Sequence, residues 1–135
     1  MDCFLLSCSL RHFETQGLLL RDFFFANSDR QLISVIEKLH RNKEPQEITV
    51  DVEYDFNALF IGPAKLLAAP YASVYLDKNK LLMADSTLSV RNFMQHYGIG
   101  IANDIGIPDD HISYEIELII LLLQKSQEDE HFFLH

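Results

Sequence analysis

The chain of 135 residues has few of the residues that interrupt regular structure, with five glycines and four prolines. Long stretches contain neither residue, and this favours helices because both residues destabilise a helix interior. There is also no convincing set of alternating strands. We therefore predict an all-α fold: one domain spanning residues 1–135, a compact helical bundle with one long central loop.

Targeting and membrane signals are missing as well. The first ten residues are apolar, but they lack a basic region and a small-residue cleavage site. No apolar run approaches the roughly 20 residues that a membrane span needs. The two cysteines, Cys3 and Cys8, match no common zinc-binding spacing. These absences predict a soluble cytoplasmic protein with two free thiols and no stable membrane insertion.

Basic residues are scarce: 11 lysines and arginines face 20 aspartates and glutamates, for a net charge of −9. An acidic chain repels phosphate backbones, so we expect no nucleic-acid partner. The charge suits a cationic partner, because carboxylates accept forked hydrogen bonds from arginine. Solubility alone is the simpler explanation of the same charge.

Motifs for common chemistry are absent too. The sequence has no GxSxG, no GxxxxGK[ST] and no HExxH. It therefore offers no recognised nucleophile, phosphate loop or zinc-protease helix. The sequence thus carries no motif that identifies an enzyme, and we expect no bound cofactor.

What is present is helical spacing of apolar residues. The second helix has the clearest pattern, with Asn27 or Ser28 as its cap and Asn42 and Pro45 at its end. The first segment is expected to form one helix or two short ones broken near Gly17. The predicted helical segments are residues 9–27, 27–45, 46–63, 85–99 and 110–124, with a loop at 64–80.

Two predicted helices carry further expectations. Asp85 or Ser86 is expected to cap the start of the fourth predicted helix, residues 85–99, and Gly98 is expected to end it in the left-handed conformation. Its buried face should contain Val90, Phe93, Met94 and Tyr97. The buried stripe of the last helix should contain Ile112, Ile116, Ile119, Ile120 and Leu123.

The start of the last helix, Pro108-Asp109-Asp110-His111, concentrates polar chemistry beside an apolar segment. Carboxylates at a helix start can accept free backbone N–H groups, so capping is the simplest role for at least one aspartate. A metal site is an alternative, with His111, Glu115 and a C-terminal histidine as further ligands. An acid/base pair or a binding surface are the other two interpretations.

Two more features bear on binding. Glu115 and Glu117 lie about 200° apart on a helical wheel, so they cannot face the same side. The loop PYASVYLD places Tyr71 and Tyr75 near Ser73 and Val74. These tyrosines could pack beneath the loop or contact an extended peptide, and the sequence does not separate the two roles.

Three stretches together resemble the TorD/DmsD family of redox-enzyme maturation chaperones. They are LFIGPAKLLAAPYASVYLD, DSTLSVRNFMQHYGI and IPDDHISYEIELI, within a likeness that covers residues 54–123. The resemblance implies a cytoplasmic all-helical chaperone without enzyme activity. It implies as partners an apo-molybdoenzyme and its twin-arginine leader, held during insertion of the molybdopterin guanine dinucleotide cofactor and before Tat export.

The resemblance also implies a peptide-binding site. Its residues are Tyr71, Ser73, Val74, Tyr75, Gly98, Pro108, Asp110, His111 and Glu115. Asp110, with Asp109 or Glu115, would receive a guanidinium, and His111 would orient an aspartate or respond to pH. The sequence departs from the family at Tyr71, where tryptophan is common, and at Ile107, where glutamate is common. These departures affect the expected peptide preference.

From the resemblance, we expect the chain to lack the further helices that the family has after the equivalent of HFFLH. We expect this to expose apolar surface on the last helix, which a homo-oligomer or a domain-swapped dimer could cover. Two other hypotheses compete with the chaperone. One is a metal-dependent hydrolase that uses Asp109, Asp110 and His111, and the other is a helical scaffold. The chaperone hypothesis requires Tyr71 and His111 to be neighbours in the fold.

Overall fold

Helices make up most of the structure, a computed structural model that describes residues 3–40, 51–80, 82–101 and 106–133. Within these ranges the chain forms helices and no strand, and this confirms the all-α prediction. The helices are α1 Cys3–Phe25, α2 Asp29–Leu39, α3 Asp51–Phe56, α4 Ser73–Leu76, α5 Asp85–His96 and α6 Ile112–Phe133. A π-helical turn, Asn57–Ile61, continues α3.

The two long helices, α1 and α6, pack against each other along the bundle. The first helix is continuous, so the break that was considered near Gly17 does not occur. A Cβ atom placed on Gly17 would lie 3.0 Å from Ile120 Cδ1 and 3.9 Å from Ile116 Cγ2. The glycine therefore allows the two helices to approach closely and does not end the helix.

This close approach gives the first testable prediction. Substituting Gly17→Val should lower the free energy of unfolding by about 1–2 kcal/mol, since the added methyl groups overpack the contact with Ile120. Thr15 lies two residues earlier on the same helix and is exposed. Thr15→Val should change the free energy of unfolding by less than about 0.5 kcal/mol. Urea denaturation followed by circular dichroism measures both values, and equal effects would contradict the packing role of Gly17.

Two apolar clusters form the core of the described chain. The first contains Ala26, Leu32 and Phe56, and the phenylalanine rings of α1 and α3 meet edge to face there. The second contains Met94 of α5 with Tyr114 and Leu118 of α6. Helix α6 therefore buries two sides: Ile116 and Ile120 face Gly17 of α1, while Tyr114 and Leu118 face α5.

These contacts correct two predicted faces. In α6, Ile120 is buried as expected, but Ile119 is 50% exposed, because the inward-facing positions also include Tyr114 and Leu118. In α5, Met94 is buried, whereas the predicted core residues Phe93 and Tyr97 are exposed and contact each other at a ring-centroid distance of 5.0 Å. Helix α6 also continues to Phe133, beyond its predicted end at Gln124.

The helix ends also test the sequence rules. Ser28 caps α2 as predicted, since its Oγ accepts the Gln31 N–H at 3.3 Å. Gly98 has the predicted left-handed conformation, with φ of 69°, after the end of α5. The predicted end of α2 at Asn42 and Pro45, and the predicted helix over residues 46–50, lie outside the described residues.

The predicted cap of α5 is wrong. Asp85 and Ser86 belong to the helix itself, and the residue at the cap position, Ala84, has no side-chain oxygen. A distant carboxylate replaces the local cap: both oxygens of Asp77 lie within 3.4 Å of the Ser86 N–H. The loop that was predicted over residues 64–80 is correct in outline, but it contains the short helix α4.

Candidate functional site

The central loop and the start of α6 lie side by side. Tyr71 and His111 form an isolated antiparallel bridge. The Ile112 N–H donates to the Pro70 carbonyl at 2.9 Å, and the Ala72 N–H donates to the Asp110 carbonyl at 3.2 Å. The rings of Tyr71 and His111 meet edge to face with centroids 5.1 Å apart. The neighbourhood that the peptide-binding hypothesis requires is therefore present.

Asp110 is the centre of this junction and is completely buried, at 0% exposure. Its Oδ2 accepts the backbone N–H of Ser73 at 2.7 Å, and its Oδ1 accepts the Thr87 hydroxyl at 2.8 Å. Ser73 begins α4 and Thr87 lies in the first turn of α5. The Asp110 carboxylate thus joins the starts of α4 and α5 to the turn that precedes α6.

Asp109 has a different partner. Its two carboxylate oxygens accept hydrogen bonds from Nε and Nη2 of Arg91, each at 2.8 Å. This is the forked geometry of an arginine–carboxylate pair. The hydrogen bonds from Arg91 lower the pKa of Asp109 below its ordinary value. The carboxylate is therefore ionised at neutral pH and is already paired with a guanidinium of the same chain.

Neither aspartate caps α6, so that prediction is wrong, and the capping group is His111. The Ser113 N–H donates to His111 Nδ1 at 3.1 Å. The ring is buried and stacks on Phe25 at a centroid distance of 5.4 Å. Burial lowers the pKa of His111 to about 4, although the nearby charge of Asp110 acts in the opposite direction. The imidazole is neutral at pH 7 and carries its hydrogen on Nε2, because Nδ1 accepts.

The two glutamates of α6 face different surroundings, as their angular separation predicts. Glu117 pairs with Arg21 of α1 at 3.3 Å. Glu115 is half-buried one turn after His111, and its backbone N–H donates to the His111 carbonyl at 3.2 Å. Burial raises the pKa of Glu115, and the negative charge of Asp110 raises it further.

The remaining predicted site residues are distributed unevenly. Ser73 is completely buried, Val74 is half-buried, and Tyr75 is 62% exposed beside Leu76 on α4. Burial raises the pKa of the half-buried Tyr71 hydroxyl, and Asp110 adds to that rise. Pro108 is buried beneath the turn, where its carbonyl accepts the His111 N–H at 3.0 Å. Gly98 lies at the end of α5, and no contact of the described residues joins it to Tyr71 or His111.

A cavity of about 510 Å³ adjoins the turn before α6. It combines apolar walls with the Arg91–Asp109 ion pair. Its lining residues are Met83, Arg91, Met94, Gln95, Ile99, Gly100, Ile101, Gly106, Ile107, Pro108 and Asp109. Pro108 and Asp109 therefore line the cavity, and the next two residues, Asp110 and His111, contact the central loop.

Sequence reasoning missed three residues of this region: Thr87, Arg91 and Phe25. Thr87 and Arg91 are four positions apart on α5, so they lie on one face of the helix. A threonine near a helix start and an arginine one turn later are common on exposed surfaces, so the sequence has no signal for them. Their partners are 23 and 18 positions away in the chain.

The geometry does not favour metal binding by the Asp109-Asp110-His111 cluster. Within the described residues, no group of three or more histidine, cysteine, aspartate or glutamate side chains is arranged to hold a metal ion. Asp109 is paired with Arg91, the oxygens of Asp110 accept hydrogen bonds from Ser73 and Thr87, and His111 Nδ1 accepts the Ser113 N–H.

Among the described helices, none is long and apolar enough to cross a bilayer.

In the described part of this helical bundle, the carboxylates of Asp109 and Asp110 are paired with donors of the same chain, whereas the buried Ser73 hydroxyl has no partner. In a comparison with protein families, residues 25–132 match the family model described as the nitrate reductase delta subunit. The chain belongs to this family, the TorD family of redox-enzyme maturation chaperones. The resemblance inferred from the three sequence stretches is therefore confirmed. The matching relatives are named as chaperones.

Individual relatives bear the corresponding names. The chain is 35% identical over 101 residues to the chaperone protein TorD of Aliivibrio fischeri. The matched region covers 72% of this chain and 47% of that protein. It is 37% identical over 73 residues to the Tat proofreading chaperone DmsD of Salmonella typhimurium, covering 54% of this chain and 34% of that protein. The chain spans about half the length of the TorD proteins that it matches.

A solved structure shares the fold. The crystal structure described as that of a redox enzyme maturation protein from Archaeoglobus fulgidus aligns with a TM-score of 0.64 and 18% sequence identity. The alignment covers 82% of this chain and 72% of that chain. At this identity the likeness establishes the helical architecture.

Proposed function

We propose that the chain is a cytoplasmic maturation chaperone for a molybdoenzyme, and that it binds the enzyme's twin-arginine leader before Tat export. Family membership supports the chaperone role. The observation that carries the binding site is the direct contact of Tyr71 with His111, which joins the loop to the start of α6. The bound surface is the outer side of this junction, from Tyr71 to Tyr75 and Leu76.

The energetics require an apolar surface as well as charge. An exposed ion pair contributes at most about 1 kcal/mol, so carboxylates alone would not hold a peptide. Burial of apolar area contributes about 25 cal/mol per Å² before ordering costs. Tyr75 and Leu76 are largely exposed, and Leu67 of the same loop is 77% exposed. These side chains supply the apolar area that the leader's hydrophobic segment would cover.

The expected result is micromolar-range binding of a synthetic twin-arginine leader in titration calorimetry. Tyr75→Ala should weaken that binding about 5- to 10-fold, as truncation of an interface aromatic typically costs 1 kcal/mol or more. The control is Phe13→Ala, because Phe13 is a 52% exposed aromatic residue on α1 and lies about three turns before Phe25, which stacks on His111. Equal losses for the two variants would contradict the assigned surface.

A leader in which both arginines are replaced by lysines separates this function from the alternative of a helical scaffold. The chaperone hypothesis predicts weaker binding of the lysine leader, because ammonium groups cannot form the forked pair. A scaffold predicts oligomers and no preference between the two peptides. The client enzyme can be identified by mass spectrometry of proteins that co-purify from native cytosol.

A further inference from the structure

We propose that Glu115, and neither aspartate, is the carboxylate that contacts a guanidinium group of the bound peptide, and that Asp110 and Thr87 are positioning residues for the loop that carries Tyr71. This inference rests on the proposed function and assigns the separate roles within its site. It replaces the expectation that Asp110 itself receives the guanidinium. Three observations carry it: the partners of each carboxylate, their burial, and the spacing along α6.

Asp110 cannot reach a ligand in this structure. It is 0% exposed, and each of its oxygens accepts a short internal hydrogen bond, at 2.7 Å from Ser73 and 2.8 Å from Thr87. A guanidinium would have to displace both donors and enter a fully packed junction. The displaced Ser73 N–H and Thr87 hydroxyl would then be buried without acceptors, which is unfavourable for each group.

Asp109 is also occupied. Arg91 already forms the two-pronged contact that a ligand arginine would need. An exchange of one guanidinium for another gains nothing unless Arg91 finds a new carboxylate. Asp109 therefore holds α5 against the turn before α6 and does not offer a free charge.

Glu115 is different from both aspartates. Within the described residues, no cation and no hydrogen-bond donor contacts its side chain. It follows His111 by four residues, so it lies on the same side of α6 as the ring that touches Tyr71. Its half-buried carboxylate is close enough to Asp110 for the two charges to interact. An incoming cation would neutralise this unpaired charge, one turn of α6 after His111.

Thr87 completes the role of Asp110. Its side chain is 1% exposed, and its hydroxyl donates to Asp110 Oδ1. Because Asp110 also accepts the Ser73 N–H, this chain of contacts fixes α4 relative to α5. Tyr71 is two residues before Ser73 and is bridged to His111, so the same contacts determine where its ring lies.

The first experiment compares Glu115→Gln with the matched control Glu117→Gln, using calorimetry with the twin-arginine leader at two salt concentrations. Both variants remove one negative charge from α6, but Glu117 already pairs with Arg21. Glu115→Gln should weaken binding about 5-fold and reduce its salt dependence, as expected for loss of a partly buried ion pair. Glu117→Gln should weaken it less than about 2-fold.

The outcomes are distinct. Leader binding that is unaffected by Glu115→Gln, or affected equally by Glu117→Gln, would overturn the assignment of Glu115 while leaving the proposed function in place. Absence of leader binding by the unsubstituted chain would reject the proposed function and this inference together. The dipeptide acetyl-Arg-Arg-amide, followed by NMR shifts of the Glu115 carboxylate, tests the ionic contact without the apolar segment.

The second experiment separates charge from position at Asp110. Asp110→Asn removes the charge but keeps an acceptor for the Ser73 N–H, so leader affinity should fall less than about 3-fold, within the cost of one neutral hydrogen bond. Thr87→Val removes the hydroxyl at nearly constant volume and should weaken binding about 3- to 10-fold by releasing the loop, with recovery in Thr87→Ser. A loss for Asp110→Asn at least as large as for Glu115→Gln, or no recovery in Thr87→Ser, would overturn the positioning role.

Discussion

Asp110→Ala is expected to lower the free energy of unfolding by about 3 kcal/mol, the sum of two hydrogen bonds to a buried charged acceptor at about 1.5 kcal/mol or more each. The substitution leaves the Ser73 N–H and the Thr87 hydroxyl without acceptors in a region that excludes water. It also removes one link between α4 and α5, and leaves the contact of Asp77 with the Ser86 N–H. The family resemblance led us to expect that Asp110 receives a guanidinium of the peptide, and on that expectation its substitution would affect binding. The buried geometry instead makes stability the primary effect.

Guanidinium chloride denaturation measures the change, and two variants serve as controls. Asp109→Ala leaves Arg91, whose side chain is 41% exposed and can be hydrated, so its cost should stay near 1 kcal/mol. Asp110→Asn keeps one acceptor and should lie between the two alanine variants. An Asp110→Ala cost below that of Asp109→Ala would contradict the central role of Asp110 in the junction.

Stability is expected to fall between pH 6.5 and pH 4 because of His111. Burial lowers its pKa from 6.5 to about 4 in the folded protein, so the unfolded chain binds the proton first as the pH falls. The stabilisation is fully present above pH 6.5 and is lost as the pH approaches 4. The slope within this window is about 1.4 kcal/mol per pH unit for a single group, which gives about 3 kcal/mol in total.

The matched variant for this pH effect is His111→Asn. Asparagine is a good residue for a helix cap, so it can still accept the Ser113 N–H. It cannot titrate, and the difference between the two denaturation curves over pH isolates the histidine. The subtraction removes the contributions of two other groups to the pH dependence of stability. The raised pKa of Glu115 makes stability rise as the pH falls. The lowered pKa of Asp109 makes stability fall at pH values below its ordinary pKa of 3.8. Identical pH slopes for the two proteins would contradict a neutral, buried His111.

Local rules succeeded where neighbouring residues determine the outcome. Ser28 at the start of α2 and Gly98 after α5 follow from the chemistry of a hydroxyl cap and of a residue without a Cβ atom. The same rules failed at α5, where Asp77 caps from nine positions away, and at α6, where a histidine caps instead of an aspartate. The Asp77 cap comes from outside the helix start and leaves no signal in the local spacing, whereas His111 lies at the start but is not a residue type that the capping rule favours.

Helical faces were predicted less well because a helix can bury two sides. Ile119 and Phe93 fit the apolar period, yet both are about half exposed. Helix α6 lies between α1 and α5, so Tyr114 and Leu118 are buried in addition to Ile120. Periodicity identifies an apolar stripe, but the neighbouring elements decide which part of it is covered.

By itself the sequence determined the helical class, several helix ends and the three stretches that resemble the chaperone family, because these depend on residue type and short spacings. The tertiary structure decided the roles of the charged residues at the start of α6. Asp110 and Asp109 find partners on α4 and α5, while Glu115 finds none among the described residues. Whether a carboxylate is available to a ligand depends on what the fold brings within hydrogen-bonding distance, and those partners are distant in the chain.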